Sequence, residues 1–573
     1  MAGNDRVGSP DRSTVPDDRI TMPERTLTGV GVSPGRGAGP VVVAPPRVPA
    51  PASTPPGDTD AGQIPVAAAR VRAELEAAAR ATTGEARAVL EATAMMATDP
   101  SLVATAQPLV GDDVGPARAV WEAATRIIDD LRALGGPMAE HAWEVIDVRG
   151  RVVAVLTGRS GPGVPDPGHP YVLVATDLTP VDVAMLDPER TKAIVTTRGG
   201  HVSHTAILAR ALGIPAVVGV HGAAWLTEGT VVVVDGGTGT VVVDASAEEV
   251  TRTASSAGPR RSFAGEGRTA DGHHVPLLAD IGRPEDALIA AEAGAEGIGL
   301  MRTEFCFLGR RQAPSHAEQV DAYRQVFACF PARTVVIRTL DAGGDSSLPF
   351  VTSTEEPNPA LGVRGLRAFL DHPQLLDDQL AAIAAAADGS GADVWVMAPM
   401  VTTAADAEEF VRRCTAHGLG TAGVTIEVPA AALRAGQLLS RAAFGSVGTN
   451  DLTQYTMAAD RQNPELAHLC TPWQPAVLEL VAAACRGGAQ QGRPVGVCGE
   501  AAADPALALV LVGLGANSLS MTPRALADVA AVLSLVTRQE CEHLAAVALA
   551  AEGAEQARGA VRALLPMLAG LGL

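Results

Sequence analysis

The chain has 573 residues, 47% of them hydrophobic but only 3% aromatic, and a formal net charge of −20 at pH 7. A single core stops growing at about 250–300 residues, so several domains are expected. The acidic balance argues against nucleic acid and anionic membrane as partners. Lys192 is the only lysine, so any anion site must be built from arginine. Seven scattered cysteines with no CxxC pair point to a reducing, cytoplasmic location rather than a disulfide framework.

Residues 1–26 are rich in Asp, Arg, Pro and Ser, carry no apolar signal core and are expected to form a disordered tail. From Leu27 to Ala44, apolar runs flank Gly31-Val32-Ser33-Pro34-Gly35, which predicts strand, turn, strand. Residues 64–148 carry an Ala-, Leu-, Glu- and Arg-rich helical pattern, with breaks near Asp99-Pro100, Gly111 and Gly135-Gly136-Pro137. Three or four helices in an all-helical insert are expected. Short strands are then predicted at Arg151–Leu156, Tyr171–Ala175, Ala193–Thr197 and Ala216–Val220, with a hairpin over Val231–Asp244 turning at Gly236-Gly237. Residues 27–250 thus read as one α/β domain interrupted by the insert.

Within that domain, Gly199-Gly200 allow a tight turn after a buried strand, and Ser203 is a good N-cap. His204 then falls in the first turn of a helix, where backbone N–H groups and the helix dipole favour a negative group. An imidazole there is placed to accept a phosphoryl group, although a lone Ser-His-Thr is equally a packing residue.

Residues 251–270 are Ser-, Gly-, Arg- and Pro-rich, and predict a linker. Beyond it, from 271 to 573, eight strand-like runs alternate with helical patterns: Val275–Ile281, Gly297–Arg302, Val335–Arg338, Val394–Met400, Val424–Val428, Phe444–Thr449, Val495–Cys498 and Ser518–Met521. Eight such units predict a (β/α)8 TIM-type barrel. The late apolar segment Ala506–Met521 is broken by glycines and too short to cross a bilayer core of about 30 Å, so no membrane insertion is expected.

Working residues of such a barrel sit at the C-terminal ends of its strands. There stand Arg302-Thr303-Glu304, Arg338 with Asp341, Glu427, Asn450-Asp451 and Cys498, with Arg364 and Arg461 in the following loops. Several arginines can grip phosphate oxygens bidentately. Glu427 and Asp451 offer hard oxygen ligands suited to Mg²⁺, and a thiol at Cys498 can donate a proton. Phosphate, divalent metal and proton donor, with a histidine acceptor elsewhere, point to phosphoryl transfer from an enol phosphate.

The motifs Gly31–Gly35, Leu178-Thr179-Pro180, Gly199–Arg210, Gly299–Phe305, Arg338–Asp341, Gly448–Tyr455 and Cys498-Gly499-Glu500 resemble those of enzyme I of the bacterial phosphoenolpyruvate:sugar phosphotransferase system. The likeness runs from about residue 27 nearly to the end. It implies phosphorylation of His204 on Nε2, phosphoenolpyruvate held by Arg302, Arg338, Asn450, Asp451 and Arg461, Mg²⁺ on Glu427 and Asp451, and Cys498 protonating the enolate. It also implies that the insert docks the phosphocarrier protein HPr and that the barrel forms a homodimer. One histidine must then serve both barrel and carrier, so its domain is expected to swing about the 251–270 linker.

Three positions depart from the family's usual pattern. His201-Val202 stand where Arg-Thr is common, Val183 where a Thr can bond the active histidine, and Ser346 where a lysine is common. His201 is read as a loop residue rather than a second imidazole at the phosphoryl group. Ser346 lacks a cation for the phosphate, so Ser346→Lys is expected to lower the Michaelis constant for phosphoenolpyruvate; an unchanged constant contradicts this. Two other functions stay open: a relative of pyruvate dikinase or phosphoenolpyruvate synthase, for which no nucleotide-binding domain is evident, and a regulatory paralogue that binds phosphoenolpyruvate without transferring it.

Overall fold

The computed structural model describes residues 25–573 except 34, 46–47, 52–59, 81, 83, 112, 135–141, 160–161, 165, 201–202, 257–260, 309, 311, 344–347, 349, 353–355, 357, 462 and 464–465. Positions 201, 202 and 346, and the expected N-terminal tail up to residue 24, therefore lie outside the described residues.

The first domain is built on eight strands: β1 (Thr26–Thr28), β2 (Val30–Ser33), β3 (Arg36–Val43), β4 (Tyr171–Ala175), β5 (Thr191–Thr196), β6 (Ala216–Val218), β7 (Val231–Asp235) and β8 (Thr240–Val243). Their order is β1-β8-β7-β3-β4-β5-β6-β2, with β3 to β6 parallel and the flanks antiparallel. The end strands β1 and β2 are joined by the single residue Gly29, so the sheet folds over on itself. A Cβ at Gly29 would lie 2.5 Å from Val220 Cγ2 and 2.6 Å from the Val218 oxygen, so this crossing needs glycine.

Central strands covered on both faces read as continuous apolar runs. Alternate residues of these strands feed two cores. Leu173, Ile194 and Val218 pack with the helices, whereas Val172, Val195 and Val217 pack against Val232, Val234 and Val241. The first core also takes Ala206, Leu208 and Ala209 from the helix His204–Leu212, together with Ile64, Val71, Leu90 and Val120 from the insert. One continuous core therefore fixes that helix against both sheet and insert.

The insert comprises helices Gln63–Arg80, Gly84–Ala97, Pro100–Ala106, Pro116–Leu134 and Ala142–Thr157. The predicted break at Asp99-Pro100 is a helix start: the Asp99 carboxylate accepts the Ser101 N–H at 2.7 Å and proline takes the first helical position. The strand predicted at Arg151–Leu156 is instead the end of the last helix, so the helical insert runs to Thr157 rather than 148. A short apolar run cannot be assigned by periodicity alone. Here Arg151 pairs with Asp147 one turn earlier at 2.6 Å, and Val152 and Val153 are buried among the neighbouring helices.

The second domain is a closed barrel of eight parallel strands: β9 (Leu277–Ile281), β10 (Ile298–Met301), β11 (Thr334–Arg338), β12 (Asp393–Ala398), β13 (Ala422–Ile426), β14 (Gly445–Gly448), β15 (Val495–Cys498) and β16 (Ser518–Met521). Strand β16 closes on β9 with Leu519 opposite Leu277. All eight expected strands are present, and the α/β class with a TIM-type barrel holds.

Of the expected linker 251–270, residues 257–260 lie outside the described residues. Residues Ala247–Ser256 form a helix. Residues 261–270 lie on the barrel: Arg261 pairs with Asp528 at 2.6 Å, Gly267 donates to Glu296 at 2.8 Å, and the Ala270 N–H reaches the Val536 carbonyl at 3.0 Å. The polar composition that suggests a linker here satisfies hydrogen bonds across the barrel instead.

Candidate functional site

A cleft of 3030 Å³ lies between the first domain and the C-terminal ends of the barrel strands. It is lined by all nine residues singled out from the sequence: His204, Arg302, Arg338, Arg364, Glu427, Asn450, Asp451, Arg461 and Cys498.

On the barrel side a charge network sits largely out of water. Arg338, the last residue of β11, reaches Glu304 at 3.0 Å and Asp341 at 3.5 Å. Arg364 bonds Asp341 at 2.8 Å, Asp451 at 2.9 Å and the Tyr455 hydroxyl at 3.1 Å. Arg461 completes the chain on the other oxygen of Asp451 at 3.5 Å. Burial alone would lower the pKa of Arg338, but Glu304, Asp341, Glu427 and Asp451 outweigh it and raise it. The same opposition, with Asp341 and Asp451 prevailing, raises Arg364. Burial would raise Asp451, yet Arg461 and Arg364 hold it below the usual carboxylate range.

Among the described residues, Arg338 Nε and Glu304 Oε2 are buried in this network without a hydrogen-bond partner. An N–H left unpaired beside a cleft is a ready donor for an anion. Arg302 is exposed beside Gly282, and Asn450 occupies the first turn of the helix Thr449–Met457, where free N–H groups favour negative charge. In Arg364 all three guanidinium nitrogens are engaged, on Asp341, Asp451 and Tyr455.

Glu427 follows β13 and is 1% exposed; one of its oxygens accepts from Met400 N at 2.6 Å and Thr425 Oγ1 at 2.8 Å. Burial, then the charges of Asp451 and Asp341, pushes it up to about 7. Among the described residues no three His, Cys, Asp or Glu side chains form a metal cage. Two hard carboxylates that raise one another's cost suit a cation that keeps several waters and takes substrate oxygens, as Mg²⁺ does.

Cys498 ends β15 and is 4% exposed, its thiol donating to the Val447 carbonyl at 3.4 Å. Burial, reinforced by the nearby Asp280 charge, pushes the thiol up to about 12, so it holds its proton at neutral pH. Such a group is an acid, not a nucleophile.

Across the cleft, His204 opens its helix after the Ser203 N-cap, whose hydroxyl accepts from Ala206 N at 3.3 Å. The side chain is half-buried. Gly199 makes the preceding turn at φ +113°. Val183 lies fully buried in the short helix Pro180–Ala184, within the core shared with Ala206 and Leu208, so it gives the histidine no hydrogen bond. One ion pair ties this helix to the rim: Arg210 reaches Glu500, two residues after Cys498, at 2.7 Å.

Two features of the rim are absent from the sequence reading. The Arg210–Glu500 pair joins residues 290 positions apart, and no local pattern announces it. Asp280 stands next to last in β9, and its signal is a carboxylate within the apolar run Leu277-Leu278-Ala279-Asp280-Ile281.

Comparison with known proteins adds an independent line. Residues 260–538 match the family described as PEP-utilising enzyme, PEP-binding domain; residues 167–239 match its mobile domain and residues 28–141 its N-terminal domain. A phosphoenolpyruvate-protein phosphotransferase of Streptomyces coelicolor is 49% identical over 95% of this chain and 99% of its own length. Proteins of the same name from Haloferax volcanii and Bacillus subtilis are 38% and 34% identical, over 93% and 79% of this chain and 98% and 83% of theirs. Among the described residues no helix is long and apolar enough to cross a membrane.

Proposed function

Because the chain belongs to the phosphoenolpyruvate–protein phosphotransferases, we propose that it phosphorylates itself on His204 from phosphoenolpyruvate, releases pyruvate, and passes the phosphoryl group to the histidine phosphocarrier HPr. The observation that carries this reading is the facing of two chemistries across one cleft: a half-buried histidine at a helix start, and an arginine–carboxylate rim with a buried thiol.

Arg302, Arg338 and Arg461, with Asn450, hold the substrate's phosphate and carboxylate. Arg338 lines the cleft with its guanidinium held by Glu304 and Asp341. Arg364 acts one step back, holding Asp341 and Asp451 in place. Glu427 and Asp451 hold Mg²⁺, which supplies charge neutralisation for the phosphoryl group and the enolate oxygen when bound. Such a transfer needs positioning and charge balance more than covalent help.

The phosphorus–oxygen bond breaks with its electron pair left on the enol oxygen, while His204 Nε2 bonds to phosphorus. The enolate then takes the Cys498 proton at its terminal carbon, giving pyruvate and a thiolate. Protonation at carbon makes reversal unfavourable. The cleft continues past His204 to Arg87, Glu91 and Trp143 of the insert, which supports carrier docking on that side. Dimerisation through the barrel and a cytoplasmic location complete the reading.

Labelled phosphoenolpyruvate, Mg²⁺ and HPr, without nucleotide, test it. Label that appears on the chain, moves to HPr and is matched by pyruvate is the expected result. Label that requires ATP or AMP, or none at all, contradicts it.

A further inference from the structure

A carboxylate that the reaction scheme does not use lies beside the proton donor. Asp280 sits at the end of β9, next to β16, which in turn adjoins β15 with Cys498. One of its oxygens accepts the N–H of Gly499, the residue after Cys498, at 3.1 Å. The other accepts the hydroxyl of Ser520, whose backbone is paired with Cys498 across the β15–β16 ladder. Gly499 has φ +99°, so the turn after Cys498 adopts a conformation closed to ordinary side chains. Asp280 thus ties the three strand ends that set where the thiol stands.

We propose that Asp280 is the positioning residue of the proton donor: it fixes the Cys498–Gly499 turn, and its negative charge keeps the proton on Cys498 sulfur until the enolate takes it. This rests on the reading of Cys498 as the acid. In the step, the S–H bond breaks with its electrons left on sulfur and a C–H bond forms at the enolate carbon. A thiolate beside a carboxylate is unfavourable, so it recovers its proton from water that enters as pyruvate leaves.

The charged groups around the pair fit this division. Arg302 and Arg338 face Asp280, and Glu427 and Arg338 face Cys498. Burial raises Asp280 itself, and the arginines and the Gly499 and Ser520 bonds oppose that rise. Among the causes that raise the thiol, Asp280 follows burial and precedes Glu427.

The test reads the thiol directly, independent of turnover. The full chain is alkylated with iodoacetamide from about pH 7 to about pH 11, and the peptide bearing Cys498 is followed by mass. Asp280→Asn keeps the shape and removes the charge; Asp280→Ser removes it by a second route, and Asp280→Glu keeps it. Buried Cys485 and Cys541 report integrity by staying unreactive. Expected is alkylation of Cys498 about tenfold faster at the same pH in Asp280→Asn and Asp280→Ser, as for a shift of about one pKa unit, with Asp280→Glu close to the parent. An unchanged Cys498 profile in the neutral variants overturns the proposal. So does an equal shift in Asp280→Glu, and so does exposure of Cys485 and Cys541 in both neutral variants, which marks Asp280 as structural. Failure of phosphoryl transfer in the parent instead strikes the proposed function and leaves this thiol profile standing.

Discussion

The two walls of the cleft are built on opposite plans. The barrel wall is a closed ladder whose strand ends and following loops set Arg338, Arg364 and Arg461 among Glu304, Asp341, Glu427 and Asp451, with Arg364 at 4% and Glu427 at 1% exposure. Its groups are locked to one another before any substrate arrives. The opposite wall offers a half-buried histidine on a nine-residue helix, joined to the rim through the Arg210–Glu500 pair. A donor site gains from preorganised charge, whereas an acceptor that serves two partners must let go. Under the proposed function, this contrast fits a preorganised donor site and an acceptor whose domain swings away from it.

Removing the acceptor should have the largest effect. His204→Gln is expected to reduce label from phosphoenolpyruvate to background while leaving the barrel intact. Retained label would show that the two walls are not donor and acceptor. Next, Arg338→Ala takes away a cation that lines the cleft, and kcat/KM in a coupled pyruvate assay is expected to fall about 10²–10³-fold. A loss below about tenfold would mean that the phosphate sits elsewhere on the rim.

Arg364→Met separates rigidity from substrate binding. It takes from Asp341 and Asp451 the nearer of their two arginines in a buried site, and removing one partner of such a network costs about 3–5 kcal/mol. Denaturant unfolding checks it, and a change below about 1 kcal/mol would count against a preorganised rim. The smallest effect belongs to the contact across the cleft. Glu500→Gln breaks a partly exposed pair worth at most about 1 kcal/mol. Phosphorylation is then expected to change by less than about fivefold, with a weaker dependence on salt. A larger loss would mean that the histidine wall is clamped rather than free to leave.

The same contrast decides how much could be read in advance. A barrel strand announces itself by a short apolar run, and the residues at or just past its end by chemistry, so Arg302, Arg338, Glu427, Asp451 and Cys498 are visible one strand at a time. Each pairing among them is not, because Arg364 meets Asp451 only when 87 residues of chain have folded. Asp280 escapes for the same reason: nothing local says that its carboxylate caps a strand end 219 residues away. The run Arg151–Leu156 shows the limit of periodicity. Its valines suit a buried strand, and the Asp147–Arg151 pair that marks a helix turn gains weight only once the neighbouring helices exclude water. His204, conversely, was legible through its cap and the glycines before it, since helix starts are written locally.

Locating the phosphoryl group tests the central claim most directly. The chain is incubated with labelled phosphoenolpyruvate and Mg²⁺, digested under alkaline conditions, and the label is mapped by peptide. The account predicts an acid-labile, alkali-stable label confined to the peptide carrying His204, with one pyruvate formed per label. Label on a serine or a carboxylate, or label that persists in the His204→Gln chain, would contradict it.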